Sequence, residues 1–139
     1  MIGLDTNVLV RFVTRDHQQQ AESAMALFRQ AERRGEQIRI NAVVLCELVW
    51  ALGGRSYGFD RHSIAAAVER LLEIPLFEVQ ERDLVRRTLD SYRRGNGDFA
   101  DYYIGEQNRA AGCSDTVTFD RRLGASHLFT VITTGGQIA

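Results

Sequence analysis

Lysine is absent from this 139-residue chain, which meets all its non-histidine positive charge with arginine. The absence excludes chemistry that depends on a lysine, including P-loop nucleotide hydrolysis, Schiff-base catalysis and kinase-type phosphoryl transfer. The formal net charge is only -1. A nucleic-acid partner would therefore have to be bound by a local patch of arginines, because the chain as a whole attracts no polyanion.

Cysteine, proline and long apolar runs are also scarce. Cys46 and Cys113 are too few for a disulfide framework, and both stand among apolar or small residues, so we expect buried thiols in a reducing cytoplasm. The single proline and the lack of low-complexity sequence indicate no linker. The start of the chain lacks the features of a signal peptide, and no stretch is long enough to span a membrane. We expect one cytoplasmic domain covering residues 1–139.

Short apolar runs alternate with helical patterns along the chain. The runs that favour strands are "MIGL", "IRIN", "LFEV", "DTVTFD" and "LFTVIT". Between them, helical spacing extends over about 17–34, "AVVLCELVWAL", 61–73, "ERDLVRRTLDSYRRG" and "FADYYIGEQNRAAGC". This alternation predicts an α/β fold with a mostly parallel sheet and helices on both faces. Ligands of such folds bind at the carboxyl ends of the strands.

Several carboxylates are expected near that edge. Asp5 directly follows the first strand, and Asp120 follows a later one. Asp98 and Asp101 lie in the first turn of the helix that precedes the strand of Asp120. Glu47 is the only charge within "AVVLCELVWAL", and an inward carboxylate on an apolar helix needs a partner.

Each carboxylate also has an ordinary structural interpretation. Asp5 is suited to cap the helix that follows it, and Asp98 with Asp101 resembles a capping box. Glu47 could lie on a narrow solvated stripe or pair with an arginine, and Asp120 could be an exposed turn residue. Four carboxylates in one pocket would instead require raised pKa values or a cation. All-oxygen ligands favour Mg²⁺ or Mn²⁺, and such an ion suits phosphodiester hydrolysis.

Four motifs in this order resemble the PIN domain, particularly the VapC-type toxin ribonucleases of bacterial toxin–antitoxin pairs. They are "MIGLDTNVLVRFV", Glu47 in its apolar helix, "GDFADYYIGEQNRAAGC" and "TVTFDRRL". The resemblance covers essentially the whole chain. It implies a three-layer α/β/α sandwich around a mostly parallel sheet, a Mg²⁺- or Mn²⁺-dependent ribonuclease, a cognate antitoxin and a homodimer.

The resemblance also implies a role for individual residues. Asp5, Glu47, Asp101 and Asp120 match the four acids that are catalytic and bind metal, with Glu47 placed at a second ion or at the attacking water. Supporting positions are Thr6, Asn7, Asp98 and Thr118. Tyr102, Tyr103 and Gly105 depart from the small or aliphatic residues common in relatives, which bears on local packing.

Four arginines could contact the RNA substrate, and two other functions are also compatible with the sequence. Arginines near the pocket are candidates to bind RNA phosphates as bidentate forks, namely Arg11, Arg109, Arg121 and Arg122. One alternative is a non-catalytic PIN-fold module that binds RNA or protein, and another is a DNA nuclease. The G-x-S-x-G match in "GRSYG" is interpreted as a loop, because an apolar helix rather than a strand precedes it.

Overall fold

The structure is a computed structural model, and it describes residues 1–135. In that part of the chain the strands are β1 (Ile2–Gly3), β2 (Ile38–Ile40), β3 (Phe77–Val79), β4 (Thr116–Thr118) and β5 (Phe129–Val131). The helices are α1 (Thr6–Thr14), α2 (Gln18–Arg33), α3 (Ala42–Gly53), α4 (Arg61–Glu73), α5 (Arg82–Arg94) and α6 (Phe99–Ala110), with a 3₁₀ turn at Arg121–Leu123. The chain divides into two compact units, Met1–Arg82 and Asp83–Ala139.

The first unit is built on a parallel three-stranded sheet in the order β1-β2-β3. Its strands are short, and pairs of helices connect them, as parallel pairing requires. The first and last residues of β2 and of β3 are buried. Polar side chains begin these helices: Asn41 accepts a hydrogen bond from the Val44 N–H, and Asp60 accepts one from the Ser63 N–H. Apolar side chains from the sheet and from α1 to α4 form the core of this unit.

The second unit pairs β4 with β5 in parallel and packs α5 and α6 around aromatic side chains. Phe99 contacts Tyr92 edge-on and stacks with Tyr103, while Tyr102 meets Phe129 edge-on. Gly105 lies on α6 where a side chain would meet Phe129 and Leu128 at 3.0–3.2 Å. Two bulky side chains, Tyr102 and Tyr103, therefore fill the core, and the absence of a side chain at Gly105 lets Leu128 and Phe129 pack closely against α6.

The prediction of an α/β fold with parallel strands and PIN-like element order is confirmed. Helices begin within one or two residues of the positions expected from the sequence, and "GRSYG" is a loop after α3 as predicted. The prediction that both cysteines are buried is wrong for Cys113, which is exposed beyond the end of α6. Cys46 is partly buried, and burial raises the pKa of its thiol. Within residues 1–135, no helix combines the length and apolar character needed to cross a membrane.

Candidate active site

In the first unit, Thr6 contacts both predicted acids of that unit. Its backbone N–H donates to Asp5 Oδ1 at 2.8 Å, and its hydroxyl donates to Glu47 Oε1 at 2.9 Å. Asp5 is the N-cap of α1 and lies just beyond the carboxyl end of β1. The two carboxylates are thus tied to one residue, although 41 positions separate Thr6 from Glu47 in the sequence. The sequence predicted Thr6 as a supporting residue for Asp5, but it did not predict the hydrogen bond from Thr6 to Glu47.

Glu47 lies on the exposed face of α3. Val43 and Trp50 share that face, at spacings of four and three residues, and both are strongly exposed. The buried face of the helix is formed by Val44, Leu45, Leu48, Val49 and Leu52. Of the two structural interpretations of Glu47, a solvated stripe agrees with this exposure, and its catalytic role stays a prediction.

The remaining candidates of the first unit, Asn7 and Arg11, differ in their surroundings. Asn7 is exposed on the first turn of α1. Arg11 is tied into the fold: its guanidinium donates to both oxygens of Asp16, to Gln20 Oε1 and to the Tyr57 hydroxyl. Hydrogen bonds from the Tyr57 hydroxyl, the Thr14 hydroxyl and Arg11 lower the pKa of the Asp16 carboxyl to about 2. Arg11 is therefore already paired with the Asp16 carboxylate within its own unit.

In the second unit, Asp98 and Asp101 open α6. Asp98 is the N-cap, and its backbone N–H donates to Asp101 Oδ2 at 3.1 Å. The turn before it is fixed by Tyr102, whose hydroxyl oxygen accepts a hydrogen bond from the Gly97 N–H at 3.0 Å. Asp98 is exposed and Asp101 is half-buried. Capping by Asp101 is therefore observed, and it engages one of the two carboxylate oxygens.

Asp120 follows β4 and is held by Arg122. The Arg122 guanidinium donates to Asp120 Oδ1 at 3.1 Å and to Oδ2 at 2.7 Å, and the Arg122 backbone N–H donates to Oδ1 at 3.0 Å. These bonds lower the pKa of the Asp120 carboxyl and raise the pKa of Arg122. Thr118 accepts the Asp120 N–H through its hydroxyl oxygen at 3.0 Å, so it positions the backbone rather than the carboxylate.

Arg122 also links Asp120 to the start of α6. Its terminal nitrogen lies 3.8 Å from Asp98 Oδ2, and it lines a cavity beside Tyr102. Arg109 and Arg121 are exposed. Arg122 is thus associated with two acids of the second unit, Asp98 and Asp120. The spacing of residues in "DRR" did not predict this pairing.

As arranged in residues 1–135, no group of three or more His, Cys, Asp or Glu side chains could already hold a metal ion. Each candidate carboxylate accepts a hydrogen bond from a donor in its own unit: Thr6 for Asp5 and Glu47, the Asp98 N–H for Asp101, and Arg122 for Asp120. In chemical type, the donors are carboxylate oxygens that suit a hard divalent cation.

Comparison with known proteins identifies the family. The family model described as "PIN domain" matches residues 2–125, a range that includes all four candidate acids. A protein named "VapC ribonuclease" from Aquifex aeolicus (strain VF5) is 29% identical over 119 residues, which cover 86% of this chain and 87% of the relative. The family resemblance inferred from the sequence motifs is confirmed, and the chain belongs to the PIN domain family.

Proposed function

We propose that this protein is a metal-dependent endoribonuclease, the toxin of a toxin–antitoxin pair. The observation that carries the proposal is the match of the PIN family across residues 2–125, with Asp5, Glu47, Asp101 and Asp120 all inside it. The similarity to a protein named as a ribonuclease supports RNA as the substrate. The proposal treats residues 1–139 as one functional PIN domain that acts in the cytoplasm as a homodimer, with a cognate antitoxin as its partner.

Asp5, Asp101 and Asp120 are the proposed ligands of a Mg²⁺ or Mn²⁺ ion, and Asp98 supports them at the start of α6. When bound, such an ion lowers the pKa of a coordinated water and stabilises the charge on phosphate oxygens. Asp120 is engaged by Arg122, so the carboxylate has to exchange this partner to bind a cation. The exchange involves no buried charge, because both side chains are partly exposed.

Glu47 is the proposed residue that orients the attacking water. The Thr6 hydroxyl holds Glu47 Oε1, which leaves Oε2 to accept a proton of the water. The water oxygen then forms a bond to phosphorus while the bond from phosphorus to the 3′ oxygen breaks. The products are a 5′-phosphate and a 3′-hydroxyl, and the elements of one water molecule are added across the bond.

The test is cleavage of a mixed RNA pool by purified protein, in Mg²⁺, in Mn²⁺ and in chelator, beside the variant Asp5→Asn. Asparagine keeps an oxygen that can accept the Thr6 N–H, so the cap survives while the charge is lost. Asp60→Asn is the control, because Asp60 is also the N-cap of a helix, where it accepts the Ser63 N–H, and has no proposed catalytic role.

Metal-dependent cleavage that Asp5→Asn loses and Asp60→Asn retains is the expected result. RNA binding without cleavage by the wild-type protein in either metal would instead support the non-catalytic binding module. Cleavage of DNA in preference to RNA of the same sequence would support the DNA nuclease. Each of these two results would overturn the proposal.

A further inference from the structure

Three adjoining cavities in the second unit form one continuous cleft. Their volumes are about 290, 440 and 260 Å³. The first two share Ser91 and Arg94, the second and third share Arg109, and His127 lines all three. Side chains common to neighbouring cavities mean that a chain-like ligand could occupy them in sequence.

Two helices and one loop build this cleft. Arg87, Ser91 and Arg94 lie on one face of α5, because they are separated by four and three residues. Glu106 and Arg109 contribute from α6. Ser91 and Glu106 are buried, and the outer lining includes exposed His127 just before β5. The cleft therefore has buried polar residues at its base, two arginines on the α5 side and one on the α6 side.

The arginines of the cleft differ in whether they already have a partner. Arg87 is paired with Glu106, with 3.3 Å between Arg87 Nε and the carboxylate. Arg122 is paired with Asp120. Arg94 and Arg109 are exposed, and among the contacts of residues 1–135 neither makes a hydrogen bond or an ion pair. These two guanidinium groups retain all their donors for a ligand.

The cleft also contains carboxylates. Asp90 and Asp115 line it together with the free arginines, so its lining carries charges of both signs. An RNA backbone matches this pattern better than a purely anionic ligand does. Its phosphates accept hydrogen bonds from arginine, and its 2′-hydroxyls donate to carboxylates.

We propose that this cleft binds the sugar-phosphate backbone of RNA that flanks the cleaved bond, with Arg94 and Arg109 each holding a phosphate. The inference rests on the proposed function, since it takes RNA as the substrate. Arg122 makes the cleft continuous with the proposed catalytic acids, because its guanidinium lines the first cavity and is hydrogen-bonded to Asp120. Of the two phosphate-binding residues, only Arg109 was a candidate from the sequence.

The test compares the wild-type protein with the double variant Arg94→Gln/Arg109→Gln on a 20-nucleotide single-stranded RNA and on a tetranucleotide. Arg86→Gln is the matched control, because Arg86 is exposed on the same helix but outside the cleft. We expect the double variant to raise KM for the long RNA about tenfold with little change in kcat, and to lose less on the tetranucleotide. The slope of log affinity against log salt should fall by about 1.4, or 0.7 for each lost phosphate contact.

The outcomes separate this inference from the function on which it rests. If the wild-type protein cleaves no RNA, the proposed function fails. If it cleaves RNA but the double variant keeps the wild-type KM and salt slope, only the cleft proposal fails. An equal loss in Arg86→Gln would indicate a general charge effect and also overturn it. Unchanged RNA kinetics with lost binding of an acidic polypeptide would assign the cleft to a protein partner instead.

Discussion

Gly95, between α5 and α6, stands where no side chain fits. A Cβ at this position would lie 1.8 Å from the Tyr102 hydroxyl oxygen, 2.6 Å from Tyr102 Cζ and 3.1 Å from the Ser91 carbonyl oxygen. Tyr102 is only 1% exposed, and its hydroxyl holds the Gly97 N–H. The ring cannot move away freely, because movement would break this hydrogen bond and disturb the core. Gly95→Ala should therefore destabilise the protein.

Three contributions set the loss of unfolding free energy in Gly95→Ala. Overpacking in a core costs about 1–3 kcal/mol. Weakening the hydrogen bond between Tyr102 and Gly97 adds about 0.5–1.5 kcal/mol. Reduced backbone freedom in the unfolded chain offsets roughly 0.4–1 kcal/mol. The net loss of unfolding free energy should be about 0.5–4 kcal/mol, or roughly 2–16 °C in melting temperature for a chain of this length.

Thermal melting followed by circular dichroism measures the effect. The control is Gly53→Ala, because a Cβ there would make one ordinary contact of 3.4 Å with Ile64. This control should be neutral or slightly stabilising. Combining Gly95→Ala with Tyr102→Phe should cost less than the sum of the two single changes, since the nearest clashing atom is removed. Wild-type melting of Gly95→Ala, or strict additivity in the double variant, would rule out a destabilising clash between the added Cβ and the Tyr102 hydroxyl.

Two further predictions concern charged groups. Arg122→Gln should bind Mn²⁺ several-fold more tightly by calorimetry, because the substitution removes the guanidinium that competes for Asp120. Arg121→Gln should match the wild-type protein, and weaker Mn²⁺ binding by Arg122→Gln would contradict the prediction. For Asp16, the folded pKa of about 2 lies below the value of about 3.9 in an unfolded chain, so its stabilising effect is present above pH 4 and is lost as pH falls toward 2. The difference in melting temperature between the wild-type protein and Asp16→Asn should accordingly shrink over that range, and a constant difference would count against the Tyr57 contact as its source.

Local chemistry explains what could be predicted from the sequence. Asp60 before "RHSIAAAVERLLE" is a strong N-cap, and α4 occupies Arg61–Glu73 as expected. Asp5 and Asp98 likewise begin helices where the sequence placed them. These predictions succeeded because a cap and the helix that follows it interact within a few residues of one another.

Glu47 shows where local reasoning was insufficient. The helix α3 carries apolar residues on all sides, so composition does not reveal which face is solvated. Trp50 is 84% exposed despite its apolar ring, and this side of the helix also carries Glu47. Exposed apolar residues are common at protein surfaces, so an apolar residue such as Trp50 does not show which face of α3 is buried.

The packing of Tyr102 could not be predicted for a related reason. Its fit depends on glycines at positions 95 and 97, which the sequence indicated only as helix-terminating or turn residues. Similarly, the bidentate pairing of Arg122 with Asp120 depends on the 3₁₀ turn that brings them together. Such contacts are set by three-dimensional geometry and not by the spacing of residue types.

Asp101→Asn distinguishes most directly between carboxylates that serve catalysis and carboxylates that only cap helices. Asparagine retains an oxygen for the Asp98 N–H, so α6 should keep its N-terminal hydrogen bond and the melting temperature should stay near that of the wild-type protein. The rate of RNA cleavage in Mn²⁺, measured on the same samples, should fall by about 100-fold or more. Wild-type cleavage by a stable Asp101→Asn variant would show that Asp101 only caps the helix.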